Sequence, residues 1–259
     1  MPKIKEEIET AALTDRGKRS GNQDRYLIRF LETGLFLALA DGMGGAAGGD
    51  VAASLLVEDL EKFKGTRGRE LQELVSIVKH ASEKILAMGA MDSRLEGMGT
   101  TLTAAFICNH NLFWLQVGDS RLYLYRARDL HQITRDQTLV QGLVDENEIT
   151  EEDARNHPAR HMLDQCVGCP DVAPATGVEV IRPEDLIILS TDGFHGALTH
   201  EHIRHLIKHW GSVDQLAHTL MQTAIESGAT DNITLVLAVL APAQAKGLSD
   251  NFSAFGNLS

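Results

Sequence analysis

LFLALADGMGG, residues 35–45, sets the terms on which the rest of the chain is read. Apolar and small residues run unbroken from Leu35 to Ala40, a carboxylate follows at Asp41, and Gly42, Gly44 and Gly45 come next. An apolar run of this length bounded by turn residues predicts a buried strand. An acid at its end is costly unless a positive charge meets it. Glycines let backbone approach a bound group closely, or take positive φ. The stretch therefore predicts a strand that delivers a carboxylate into a cation or phosphate site. LIILSTDG, 186–193, repeats the pattern far along the chain.

Working outward, DRYLIRFLE (24–32) reads as a strand joined to the first through a tight turn at Thr33-Gly34. GGDVAASLLVEDLEKFK (48–64) and RELQELVSIVKHASEKILAM (69–88) carry apolar residues at helical spacing, with Gly65 and Gly68 parting them. TTLTAAFIC, LFWLQVG and RLYLYR are three β-type runs. Residues 136–165 are polar and read as short helical pieces. Helices are expected at 199–210 and 212–227, the second opened by a Ser212/Gln215 capping box and stopped at Gly228. ITLVLAVL (233–240) is a closing strand. No internal repeat or linker divides the chain, so residues 1–242 are expected to form one domain and 243–259 a flexible tail. Hairpin-linked strands in two clusters, with helix pairs between them, predict an α+β sandwich with antiparallel sheets.

The chain has 259 residues, 43% hydrophobic and 23% charged, and a net charge of −12. That balance, without any long Lys/Arg run, argues against a nucleic-acid surface. There is no apolar stretch of membrane-spanning length and no signal-peptide pattern, so neither a membrane nor export is expected and the reading is cytoplasmic. Three cysteines do not suggest a disulfide scaffold.

Asp41, Asp119 in VGDSR, Asp192 in STDG and Asp231 in ATDN all stand where strands meet turns, and Asp24 in SGNQD just precedes a strand. One aspartate at a turn is ordinary. Five brought together would repel one another and need cations between them. The ligand set would be all oxygen, which selects Mg²⁺ or Mn²⁺ over Zn²⁺. A pair of such ions can generate hydroxide and stabilise displacement at phosphorus.

TDRGKRSGNQD, ALADGMGGAAGG, MGTTLTAAF, VGDSRLYLYR, ITEEDARNHPAR, LIILSTDG and SGATDNITLVL together resemble, in order and over residues 10–240, the metal-dependent type 2C serine/threonine protein phosphatases in their bacterial form. The resemblance implies a central antiparallel β-sandwich flanked by pairs of helices, with two metal ions at one end. Asp41 would bridge both ions, the Gly42 carbonyl would bind one, and Asp192 and Asp231 would hold the other. Asp24 would stand behind them and orient metal-bound water, and Arg19 would grip the substrate phosphate. Asp119, with Asp192, would supply a weaker third metal site. The implied reaction is hydrolysis of phosphoserine or phosphothreonine by direct attack of a bridging hydroxide. The implied partners are phosphorylated proteins, substrates of an opposing bacterial kinase, met by a monomeric enzyme. Two other readings stay open: a regulatory or scaffolding member that binds phosphoproteins with little turnover, and a broader hydrolase of small phosphate esters.

The chain departs from that family pattern at three points. Met43 stands where many members carry a histidine thought to act as general acid. Gly196, in DGFHG, stands where a further aspartate is common, which weakens the third metal site; His195 beside it could compensate or could be a packing residue. Asp136-Gln137-Thr138 replaces an Asp-His-Ser-type opening of the flap, residues 136–170. Cys166-x-x-Cys169, near His157 and His161, reads as half of a zinc or redox site or as structural. His202, His205 and His209 form a row at the edge of a helix, solvated beside an apolar stripe. Thr100 and Thr101 are read as packing residues.

Overall fold

The structure is a computed structural model that describes residues 8–208 and 210–241. His209 and the expected tail from 243 lie outside the described residues. In chain order the elements are β1 (Ile8–Asp15), β2 (Arg25–Phe30), β3 (Leu35–Ala40), the two-residue β4 (Gly42–Met43), α1 (Gly45–Leu60), α2 (Glu70–Met91), β5 (Gly99–Thr100), β6 (Leu102–Cys108), β7 (Asn111–Val117), β8 (Arg121–Arg126) and β9 (Asp129–Gln132). There follow α3 (Leu139–Asp145), α4 (Glu151–Asn156), β10 (Ala175–Val180), β11 (Leu186–Ser190), α5 (Asp192–His195), α6 (His200–Ile207), α7 (Val213–Glu226) and β12 (Ile233–Leu240).

Among the described residues two five-stranded sheets form, in the orders β1-β12-β11-β8-β9 and β10-β7-β6-β3-β2, and the short pair β4-β5 stands apart. Neighbouring strands are antiparallel throughout both sheets. The unbroken apolar character of β3 follows from its two covered faces. Leu35, Leu37 and Leu39 meet Ile187, Leu189 and Val236 of the other sheet. Phe36, Ala38 and Ala40 pack with Leu56 and Leu60 of α1 and Leu74 and Val78 of α2. On the far side, Leu216 and Leu220 of α7 and Ile203 of α6 cover Ile188 and Leu235. Helix pair, sheet, sheet and helix pair thus stack as the α+β reading expects.

Some local expectations change. The β2–β3 connection is the four residues Leu31–Gly34, closed by a 2.8 Å bond from the Leu31 N–H to the Gly34 carbonyl, instead of a two-residue turn. The first helix starts earlier, inside the glycine run, with its cap Gly44 at φ 115° and its first residue Gly45 at φ 80°. Asp192 does not end a strand at a turn; it opens the one-turn α5, because Thr191 is extended and the next four residues are helical. Strands β1, β9 and β10, and the two-residue β4 and β5, are not announced by the sequence pattern. The Ser212/Gln215 capping box forms as expected, and Gly228 follows α7 at φ 91°.

Candidate active site

Antiparallel pairing brings the acidic turns to one end of the sandwich. Arg25 is opposite Ala40, Leu102 opposite Val117, and Ser190 opposite both Arg121 and Leu235. The turns that precede or follow these residues therefore converge. A cavity of about 600 Å³ opens there, and Arg19, Asp41, Gly42, Asp119, Asp192 and Asp231 all line it, with Met43, Thr101, His161 and Leu163. Asp24 lies behind the cavity, 3% exposed. The structure thus gathers every residue the sequence reading assigned to the site.

Local devices hold the segments that carry the site. The Asp41 backbone is clamped on both sides: its N–H donates to Thr101 Oγ1 (3.0 Å), and its carbonyl accepts from the Thr101 N–H (2.8 Å) and Thr100 Oγ1 (2.9 Å). Thr100 and Thr101 therefore do more than pack, and their place in the MGTTLTAAF block was the available signal. Gly42 is required by close approach, since a Cβ there would stand 2.2 Å from the Gly49 carbonyl oxygen. Gly118, at φ 95°, turns the chain into Asp119; its N–H donates to Gln137 Oε1 (2.7 Å) and its carbonyl accepts from the Gln137 N–H (3.0 Å). Gln137 is thus a tether between the flap and the Asp119 turn. Asn232 ties down the loop that carries Arg19: its side chain donates to the Arg16 and Gly21 carbonyls (2.8 and 2.9 Å) and accepts from the Gln23 N–H (2.9 Å).

The charges are unbalanced toward negative. Burial, reinforced by Asp192 and Asp231 and opposed by hydrogen bonds from Thr234 and Thr191, pushes the Asp24 carboxyl up to about 7. Burial and then repulsion from Asp192 take Asp119 to about 8. Asp41 rises well above the usual carboxylate range through burial and the charge of Asp24, Asp192, Asp119 and Asp231. Two basic groups on the cavity wall answer this charge: the Arg19 guanidinium donates to Asp231 Oδ2 at 2.6 Å, and His161 Nδ1 stands 3.3 Å from Asp192 Oδ2. That hydrogen bond, outweighing burial, raises His161.

Among the described residues no three His, Cys, Asp or Glu side chains already form a closed ligand cluster, in keeping with Arg19 and His161 each standing against one of the carboxylates. The donors nevertheless fit hard divalent ions. They are all oxygen, and Asp192 Oδ1 and Asp24 Oδ1 are buried without any hydrogen-bond partner. Buried carboxylate oxygens left so can accept a cation or a water. Cys166 and Cys169 are joined in a disulfide, which removes both thiolates from the zinc reading. His157 caps α4 and accepts from the Ala159 N–H through Nδ1 (3.1 Å), a structural role. His195 packs beside Ser190, its Nδ1 3.1 Å from Oγ, and does not line the cavity. His202 and His205 are exposed, as expected.

A family model described as Protein phosphatase 2C matches residues 15–237. The chain belongs to this family. The serine/threonine protein phosphatase PstP of Mycobacterium tuberculosis is 36% identical over 241 residues, which are 92% of this chain and 46% of PstP. The chain therefore spans about half the length of that curated relative. Protein phosphatase PhpP of Streptococcus pneumoniae is 32% identical over 240 residues, 89% of this chain and 96% of PhpP. The solved structure of the M. tuberculosis phosphatase PstP/Ppp superposes with a TM-score of 0.83 at 37% identity, covering 91% of this chain and 99% of that one. The PstP catalytic domain in complex with two manganese ions gives 0.81 at 35%, with the same coverage.

Proposed function

We propose that residues 1–242 form one catalytic domain, a metal-dependent protein serine/threonine phosphatase. The observation that carries this is the convergence of Asp41, Asp119, Asp192 and Asp231 on one cavity, backed by Asp24, with buried oxygens that lack partners and with Arg19 at the mouth. The manganese-bound relative supports Mn²⁺ or Mg²⁺ as the ions. Asp41, the Gly42 carbonyl, Asp192 and Asp231 would hold two ions, and Asp119 with Asp192 a weaker third. When bound, the ions would supply the hydroxide nucleophile and neutralise charge on the phosphoryl group.

The chain's own residues do the rest. Arg19, which donates to Asp231, would be free to bind the phosphate oxygens through its forked donors once Asp231 held a cation. The Thr100/Thr101 clamp fixes the Asp41 backbone at the cavity wall, so that positioning is set before substrate arrives. Met43 cannot donate a proton to the leaving alkoxide, so no side chain at that position serves as general acid. The relatives' names support phosphorylated proteins as substrates. We take these to be products of an opposing bacterial kinase in the cytoplasm, met by a monomer.

The test is hydrolysis of a phosphothreonine peptide and of a small aryl phosphate, with Mn²⁺ and with EDTA, by wild type and Asp192→Ala. Metal-dependent turnover on the peptide, abolished in the variant, is expected. Near-normal turnover by Asp192→Ala would refute the assignment, and a preference for the small ester would favour the broader hydrolase.

A further inference from the structure

The Cys166–Cys169 disulfide is placed where it can act on the site. Val167, between the two cysteines, makes a two-bond bridge with Thr100: the Val167 N–H donates to the Thr100 carbonyl (2.8 Å) and the Thr100 N–H to the Val167 carbonyl (2.9 Å). Thr100 pairs with Gly42 across the short β4-β5 ladder and clamps the Asp41 carbonyl through Oγ1. Cys166 Sγ itself lies over Gly99, where an added Cβ would meet it at 3.0 Å and Met43 Cε at 3.1 Å. On its other side the turn is hooked to α2, with the Gly168 N–H donating to Ser82 Oγ (2.9 Å) and Ser82 Oγ donating to the Cys169 carbonyl (3.3 Å).

The flap ends at this turn. Its stalk is an antiparallel pair in which the Leu139 N–H donates to the Met162 carbonyl and the Asp164 N–H to the Gln137 carbonyl, both at 2.9 Å. His161 and Leu163, on the returning strand of the stalk, line the cavity. A single residue, Gln165, separates Asp164 from the 166–169 turn. The turn thus anchors the flap on one side and the Asp41 clamp on the other.

As a staple for the fold the bond is poorly chosen. A cross-link across so short a loop removes little freedom from the unfolded chain. The two residues differ in burial, Cys166 being 1% exposed and Cys169 only half-buried, so Cys169 is the side from which a reductant would approach. A Cys-x-x-Cys pair sets two sulfurs at the spacing that recurs in thiol–disulfide exchange sites.

We propose that Cys166–Cys169 is a thiol–disulfide exchange site for dithiol reductants, and that its oxidised form holds the flap in the position that binds phosphopeptide. A thiolate of the dithiol attacks Cys169 Sγ. The S–S bond breaks, its electron pair leaves on Cys166 Sγ, and that sulfur takes a proton. The reductant's second thiolate then attacks the reductant sulfur of the mixed disulfide and releases Cys169 as a thiolate, which is protonated in turn. The protein gains two electrons and two protons, and the reductant departs as its own disulfide. In a reducing compartment such a bond turns over instead of persisting as a fixed element.

The substrate part of this inference rests on the phosphatase reading, and the experiment separates the two. Wild-type protein is reduced with dithiothreitol under native conditions, freed of reductant by gel filtration without oxygen, and compared with oxidised protein. Denatured samples should titrate as Cys108 alone before treatment and as all three cysteines after it. Reduced protein should show faster amide hydrogen exchange in peptides that contain Thr100 and Val167. Its KM for a phosphothreonine peptide should rise roughly threefold or more, and by a larger factor than its KM for a small aryl phosphate. The Cys166→Ser/Cys169→Ser double variant should match the reduced state in every redox buffer; should it not fold, reduced wild type stands as the test. A bond that resists native reduction, or equal exchange in the two states, or an equal KM, would each overturn the proposal. If neither state hydrolyses either substrate, the phosphatase reading fails, and calorimetric binding of the same peptide to the two states decides the flap claim in its place.

Discussion

Replacing Asp24 by Asn in metal-free protein isolates the electrostatic load of the site. Asp24 Oδ2 accepts from Thr191 Oγ1 (3.0 Å) and Thr234 Oγ1 (2.7 Å), while Oδ1 is buried with no partner. A carboxamide keeps the shape and the accepting oxygen, and its NH₂ takes the unpartnered place at every pH. What changes is the charge. The native carboxyl titrates at about 7, against an ordinary value of 3.8. The native state therefore holds its proton where the unfolded chain has lost it, and this contribution to stability is complete below about pH 4 and lost as pH rises through 7. At about 1.4 kcal/mol per pKa unit, the contribution lost is on the order of 4 kcal/mol in full, of which roughly 3 disappears between pH 5 and pH 8.

Urea unfolding in EDTA at those two pH values, for wild type and Asp24→Asn, reads this directly. The stability difference between the two proteins should move by roughly 3 kcal/mol in favour of the variant at pH 8, about 1 M urea in midpoint. Parallel pH dependence in the two proteins would refute the electrostatic account. Adding Mn²⁺ should stabilise wild type at pH 8 more than the variant, because the cations relieve the repulsion from Asp192 and Asp231 that helps raise Asp24.

Arg19→Ala should mainly raise KM for phosphorylated substrates, since it removes phosphate binding common to the ground and transition states; an unchanged KM would remove Arg19 from that role. Arg126→Ala should leave Asp185, 2% exposed, without the guanidinium that donates to Oδ1 at 2.9 Å. Removing one partner of a buried pair predicts a loss of about 3 kcal/mol in urea unfolding with little change in turnover, and a loss below about 1 kcal/mol would show the pair to be solvent-screened.

The large features of the fold were legible because burial on two faces leaves an unmistakable trace. β3, β6, β11 and β12 are buried along their whole length and read as continuous apolar runs. β10 escaped notice because it is a sheet edge with alternate residues exposed, and its Thr, Gly and Glu carry no apolar period. The site aspartates were legible one by one as strand-end acids, and their convergence required the family resemblance, since register is a long-range property. Least visible were the residues that act through backbone. Thr101, Gln137 and Asn232 hold carbonyls and amides of distant segments, and such bonds leave no spacing pattern in the sequence.

Gly196 is the position where sequence and structure pull against each other. The family pattern suggests that Gly196→Asp would restore a carboxylate near Asp119 and Asp192 and so tighten the third metal site. The structure adds a cost: Gly196 closes α5, its N–H donating to the Asp192 carbonyl at 2.7 Å, and a Cβ there would stand 2.7 Å from that same carbonyl oxygen. The φ of −75° is open to any residue, so the obstacle is crowding of backbone and not conformation. Any side chain at 196 must push the Asp192 carbonyl away, and Asp192 is itself a proposed ligand. Gly196→Ala imposes the crowding alone, whereas Gly196→Asp adds the charge. Mn²⁺ titration should therefore show weaker binding in Gly196→Ala than in wild type, and tighter binding in Gly196→Asp than in Gly196→Ala. If the two variants bind Mn²⁺ alike, the new carboxylate does not reach the ion, and the weakness of the third site has to be traced to Asp119.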